Sequence, residues 1–164
     1  MRSPLQSSVA LLGRILLSSA FLMLAALKVA EWNETQEFMT ARGMRAVGFW
    51  AVAAVLVELV AGACLLLGFE TRIAALALMA YLVPVSLVLH NFWALQGVER
   101  ITALQQFMQN VAIMGGLLMV AVYGGGACSL DALDTHRRAS GWLFGRRKPG
   151  QGGAQAHPPA PAAR

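Results

Sequence analysis

The stretch Phe49–Gly68, FWAVAAVLVELVAGACLLLG, decides the fold: it is about 20 residues long, the length that crosses a bilayer's hydrocarbon core as a helix, and its one charge is Glu58 near the middle. A carboxylate at mid-membrane costs roughly 2.5 to 3.5 kcal/mol on insertion scales, so it is expected to face the protein interior and to find a partner or a proton. Ala54, Glu58 and Gly62 recur at steps of four, so Glu58 points into a face whose small residues let a second helix approach closely.

Working outward, three more apolar segments match this one: Val9–Val29, Ile73–Leu89 and Phe107–Tyr123. They are continuously apolar, without the alternation of a barrel strand. With 57% hydrophobic and 13% charged residues in 164, the chain reads as an all-α polytopic membrane protein, an antiparallel four-helix transmembrane bundle. Residues 1–8 form a short N-terminus, 9–131 the membrane domain with helices at 9–29, 49–68, 73–89 and 107–123, and 132–164 a basic Pro/Ala/Gly-rich tail expected to be disordered. The first segment is retained as a helix rather than cleaved as a leader, because Lys28 and Arg14 spoil the signal-peptide pattern.

Charge and aromatic residues set the orientation. With both termini inside, Arg2, Arg14, Arg72 and the tail cations from Arg137 to Arg164 share the inner side, against Lys28, Arg42, Arg45 and Arg100 outside. Both termini are therefore expected in the cytoplasm. Trp32, Trp50 and Trp93 all fall at the outer interface, where amphipathic rings anchor. The net charge of +5 then serves the inner leaflet, and no nucleic-acid motif accompanies the basic residues.

Between the first two spans, Thr35 to Met44 is expected to form a short interfacial helix, and Phe69–Arg72 a tight turn that makes the second and third spans antiparallel neighbours. Pro84 lies inside the third span, with Ser86 placed to help satisfy the freed carbonyl. His90–Leu104 reads as a solvated loop. Gly115-Gly116 can seat either an internal helix or a second copy of the chain, a homo-oligomer.

On the first helix Arg14, Ser18, Phe21, Ala25 and Lys28 lie on one face, with the two cations roughly 21 Å apart. The preferred buried polar pair is Arg14 with Glu58. Such a pair pins helix register, or it handles protons; the residues leave both readings open. Near the outer interface Lys28, His90, Asn91, Gln106 and Asn110 converge as a rim that can hydrogen-bond the carbonyls of a quinone, with Phe92 and Trp93 as an apolar wall. The plainer reading is polar helix ends meeting headgroups and water.

His90 is the one histidine at membrane depth, and Cys64 and Cys128 are too few for an iron–sulfur cluster, so no intrinsic metal is expected. Both thiols should be free. Nucleophile-elbow, zinc-protease and phosphate-loop motifs do not occur.

Taken in order, Gly13-Arg14-Ile15-Leu16-Leu17 with Lys28, Glu58-Leu59, Gly68-Phe69-Glu70-Thr71-Arg72, His90-Asn91-Phe92-Trp93, Gln106-Phe107 with Asn110, and Gly124 to Asp131 resemble the DoxX family over about residues 10–131. Cys128, in a position usually aromatic, and the long basic tail depart from its pattern. The resemblance implies a small bacterial inner-membrane protein of four helices. Some relatives are subunits of thiosulfate:quinone oxidoreductases, and another joins a superoxide dismutase and a sulfurtransferase in a mycobacterial membrane redox complex. Arg14, Glu58, His90 and Asn91 match motif positions to which the family attaches no catalytic role.

The reading that follows is an anchoring or quinone-side subunit of a redox or thiol-stress complex, with electrons supplied by partner subunits. Its alternatives are a small-solute or proton transporter using Glu58, and a scaffold whose tail docks proteins or anionic lipid.

Overall fold

A computed structural model of the chain describes residues 4–133, so the tail expected to be disordered lies outside the described residues apart from its first two positions. Five α-helices follow one another: α1 (Pro4–Ala30), α2 (Trp32–Ala41), α3 (Val47–Leu67), α4 (Thr71–Val88) and α5 (Gly97–Tyr123), with one 3-10 turn at Phe92–Ala94. No strand occurs among the described residues. α1, α3, α4 and α5 are each long and apolar enough to cross a membrane, and α2 is the short interfacial helix, three residues earlier than its sequence placed it.

The α3–α4 turn shows how locally the chain folds. Gly68 takes the left-handed conformation (φ 71°), and its N–H donates to Leu65 O while that of Phe69 donates to Cys64 O at 2.9 Å. These two bonds close α3 with a Schellman motif and leave little room between the two helices. α4 and α5 are joined by the 3-10 turn, and α5 begins at Gly97 rather than at 107. Residues 90–104 are thus only partly loop. At 27 residues α5 is about 40 Å long, more than the hydrocarbon core needs, so its polar first turns stand beyond the apolar span that hydropathy picks out.

Packing runs α1 on α3, α3 on α4, and α4 on α5. Phe21, Leu65, Leu78 and Leu117 are fully buried at the centre, with Ala61, Ala74 and Ala75 letting the backbones approach. Gly62 receives Leu22 and Phe21 of α1. A smaller cluster of Met39, Ala51 and Leu89 fastens α2 across the end of the bundle. Large apolar side chains such as Leu12, Leu56, Leu76 and Met119 are exposed around the outside, a surface suited to lipid and not to water. Gly116 lies against Leu17 inside the bundle, whereas Gly115 has open space before it.

Candidate functional site

Glu58 is 2% exposed, and its partner is Lys28: the ammonium Nζ donates to Oε1 at 2.8 Å and to Oε2 at 2.9 Å. Tyr81 Oη donates a third bond to Oε1 at 2.7 Å. Arg14 is equally buried but takes no part, which corrects the expected Arg14–Glu58 pair.

The direction of the side chains decides between the two cations. Every Cα–Cβ bond in a helix tilts toward that helix's N-terminus. α1 and α3 run antiparallel, so Lys28 leans down α1 toward the bundle centre while Glu58 leans up α3 toward Lys28. Arg14 leans the same way along α1, and from its place nearer the helix start that carries it away from Glu58 toward the other end of the bundle. Depth agrees: Gly62 lies against Phe21 and Leu22, which sets Glu58 about level with Ala25, roughly one turn from Lys28 and roughly three from Arg14, and the lysine's long stem spans that turn. Tyr81 sits at the depth of Glu58 because each lies about two and a half helical turns from the α3–α4 turn. That hairpin symmetry is the signal in the sequence that places Tyr81 beside Glu58.

Lys28, Glu58 and Tyr81 form part of the wall of a cavity of about 640 Å³, within the range of ligand pockets. His90, Gln106 and Asn110 of the expected rim also line it. Asn110 Nδ2 donates to Ser86 Oγ at 3.0 Å, and Ser86 in turn donates to Leu82 O, four residues back in α4. The Ser86 hydroxyl therefore ties α4 to α5, with Leu82 O as its acceptor. His90 Nδ1 is buried and has no hydrogen-bond partner.

Asn91 and Trp93 are not in this wall. Asn91 Oδ1 accepts from Arg42 Nη1 at 3.1 Å, which latches the end of α2 to the segment after α4. Trp93 packs edge-on against Phe92 and Phe107. The wall's apolar part comes instead from Phe38 and Met39 of α2, Val85 of α4 with Leu89 just past its end, and side chains of α1 and α5 such as Leu24 and Ile113. Arg42 stands over the Phe38 ring at 5.1 Å, and that ring lies 6.5 Å from the ring of His90. Without knowing that α2 folds across the bundle, Phe38 and Met39 read as ordinary interfacial residues.

At the opposite end Arg14 ties three segments together. Nη1 donates to Gly125 O at 2.6 Å, and Nη2 to Cys128 O at 2.8 Å and Leu66 O at 3.4 Å. A guanidinium has the fork of donors for this, and Leu66 O is one of the carbonyls that the end of α3 leaves unpaired. A Cβ at Gly68 would collide with Arg14 and Ser129, and one at Gly125 would stand 2.6 Å from Thr71 Oγ1, so both positions require glycine for space. Asp131 completes the knot by capping α4: Oδ1 accepts from the Glu70 N–H at 2.7 Å, and Oδ2 from the Thr71 N–H and hydroxyl at 3.0 and 2.6 Å. Partial burial would raise the Asp131 carboxyl, but the bonds from Thr71 and Glu70 and the nearby Arg14 charge outweigh it and hold the group below its ordinary value.

Among the described residues no three His, Cys, Asp or Glu side chains are grouped to share a metal ion. Cys64 and Cys128 are unbridged.

The chain is thus a polytopic four-helix membrane protein with an ion-paired carboxylate buried at mid-span and a largely apolar cavity, set with a few polar side chains, toward one end. It belongs to the DoxX family, whose model matches residues 9–91. It is similar to the inner membrane protein YqjF of Escherichia coli K12, 33% identical over 123 residues that cover 75% of this chain and 89% of the relative. Inner membrane protein YphA of the same strain is 30% identical over 121 residues, 74% of this chain and 86% of the relative. A more distant likeness reaches the ER-derived vesicles protein ERV29 of Saccharomyces cerevisiae, 31% identical over 77 residues, 47% of this chain and 25% of the relative. No solved structure gives a significant match.

Proposed function

We propose that the chain is a bacterial inner-membrane subunit that binds the head of a quinone, or of a like carbonyl-bearing amphiphile, in the cavity between Glu58 and His90. The observation that carries this reading is the buried His90 Nδ1, which makes no hydrogen bond although it belongs to a residue of the cavity wall whose ring has the Gln106 side chain beside it. A buried polar atom left unmatched costs about 1 to 3 kcal/mol, and a carbonyl oxygen accepting from an Nδ1–H would recover it. Gln106 and Asn110 add amide groups, and Phe38, Met39 and Val85 add apolar surface for a ring. Lys28 and Tyr81 hold Glu58 in place beneath the site.

In this reading the chain supplies the binding site and the membrane anchor, and a partner subunit supplies electrons. The inner-membrane relatives support the location. The Lys and Arg distribution supports both termini in the cytoplasm and, with them, a cavity in the outer half of the bilayer; reporter fusions at the two termini test that orientation. The functional test is quinone titration of the purified protein in lipid nanodiscs, alone and with co-purified partners. Saturable binding is expected, and its absence in both samples would overturn the reading.

A second reading, a proton or solute carrier, is supported by the ion pair itself. Lys28 reaches Glu58 from near the bundle end, and a pair that can open and close offers an exchanging carboxylate. It requires proteoliposome flux that disappears in Glu58→Gln. The scaffold reading rests on the tail and requires partner capture to be lost when residues 137–164 are deleted.

A further inference from the structure

The four spans do not close into a ring. α1 and α5 meet little, although each packs closely on its other neighbour. One point of approach is at mid-depth, where a Cβ on Gly116 would stand 3.2 Å from Leu17 Cδ2. From Leu17 toward Lys28, a length of about 16 Å along α1, the two helices become the edges of a slot. Ala20, Met23 and Leu24 line the cavity from α1, and Gln109 and Ile113 line it from α5. Glu58 and Tyr81 stand at the back. Met23 is 62% exposed, and both edges belong to helices of membrane-spanning length and hydropathy, so the slot faces acyl chains over most of its height. The top is covered by α2, whose approach contributes Glu31 and Glu34 to the cavity's lining.

We infer that the ligand enters sideways from the bilayer, through the slot between α1 and α5, and that it is a neutral-headed lipid with one long apolar tail, of the prenylated quinone class. The inference rests on the functional reading above and adds the route and the tail. Charge selects the head. Lys28 is already matched by Glu58, so Glu31 and Glu34 set against Arg42, which stands over the Phe38 ring, leave this end of the cavity with one excess negative charge, which disfavours fatty acids and phospholipid phosphates and admits an uncharged carbonyl ring. Geometry selects the tail: with the head at His90, a tail can leave through the slot and stay in hydrocarbon, whereas a path past α2 would carry it across charged groups.

Two probes with the same benzoquinone head, one carrying a decyl tail and one without it, separate these points in nanodiscs of wild type and of Ala20→Trp. The tryptophan narrows the slot and leaves His90, Lys28 and Glu58 in place. We expect the tailed probe to bind Ala20→Trp at least tenfold more weakly than wild type, and the tail-less probe to change less than twofold. Gln109→Trp, on the facing edge, should act in the same way, and thermal unfolding identifies which variant keeps its fold. A diazirine on the tail of the bound quinone should label α1 or α5 near Met23 or Ile113. Equal effects on both probes, no effect on either, or labelling confined to α2 would overturn the lateral route while leaving the functional reading standing. Failure of both probes to bind wild type would overturn the reading and the route together.

Discussion

Lys28 and Glu58, thirty residues apart in the chain, meet through two hydrogen bonds of 2.8 and 2.9 Å across the α1–α3 contact. Glu58 is almost fully enclosed while Lys28 keeps 19% of its side chain accessible, so the pair is buried on one side only. Its worth lies less in net attraction than in the penalty for leaving one member alone.

Glu58→Gln leaves the Lys28 ammonium facing a neutral amide. We expect a loss of about 3 kcal/mol, the low end of the range for removing one partner of a buried pair, because Lys28 has a route to the membrane surface. The double change Lys28→Met with Glu58→Leu should regain most of that loss if the pair serves register alone. Thermal unfolding in detergent measures both, and a double variant no more stable than Glu58→Gln would show that the ion pair itself holds the spans together.

Arg14→Lys should be poorly tolerated despite its conserved charge. One ammonium cannot take the place of a fork that reaches Gly125, Cys128 and Leu66 carbonyls from two nitrogens. With bonds to a charged donor worth about 1.5 to 3 kcal/mol each and not additive, we expect a loss near 3 kcal/mol. Quinone affinity of the fraction that stays folded should be unchanged, since the knot lies at the other end of the bundle from the cavity. Denaturant titration checks the first expectation, and ligand titration the second.

Asp131→Asn tests the α4 cap through pH. The folded carboxyl sits below its ordinary value of 3.8, so the stability it gives is complete above that value and is lost as pH falls through the lower folded value. At neutral pH we expect the variant to be less stable by about 1 kcal/mol, the usual cost of losing an N-cap. The gap between the two proteins should close on acidification below about pH 4. A gap that holds constant to pH 2 would mean that the carboxylate charge contributes nothing there.

The number of spans, the α3–α4 turn and the burial of Glu58 were legible in the chain because each follows from a local pattern: an apolar run, a glycine with its turn, a charge in the middle of a span. The extent of α5 was not, since its first turns are polar and helical at once, and hydropathy registers only the apolar part. Arg14 shares its face of α1 with Lys28, and periodicity alone does not choose between them; the depth at which Gly62 meets Phe21 and Leu22, and the tilt that brings Lys28 and Glu58 toward each other, both come from the packed pair of helices. Phe38 and Met39 could not be placed in the cavity without knowing that α2 crosses the bundle end, a relation held by Met39 against Ala51 and Leu89 and by Arg42 on Asn91.

In the proposed complex, His90 Nδ1 receives a carbonyl-bearing head. Its most direct test is the dissociation constant of a tailed benzoquinone for wild type and for His90→Leu, side by side in nanodiscs, with thermal unfolding as the control for intact structure. A saturable wild-type isotherm weakened at least tenfold by the substitution is expected, in keeping with the loss of one buried hydrogen bond worth about 1.4 kcal/mol or more. Equal affinities in two folded proteins would contradict it.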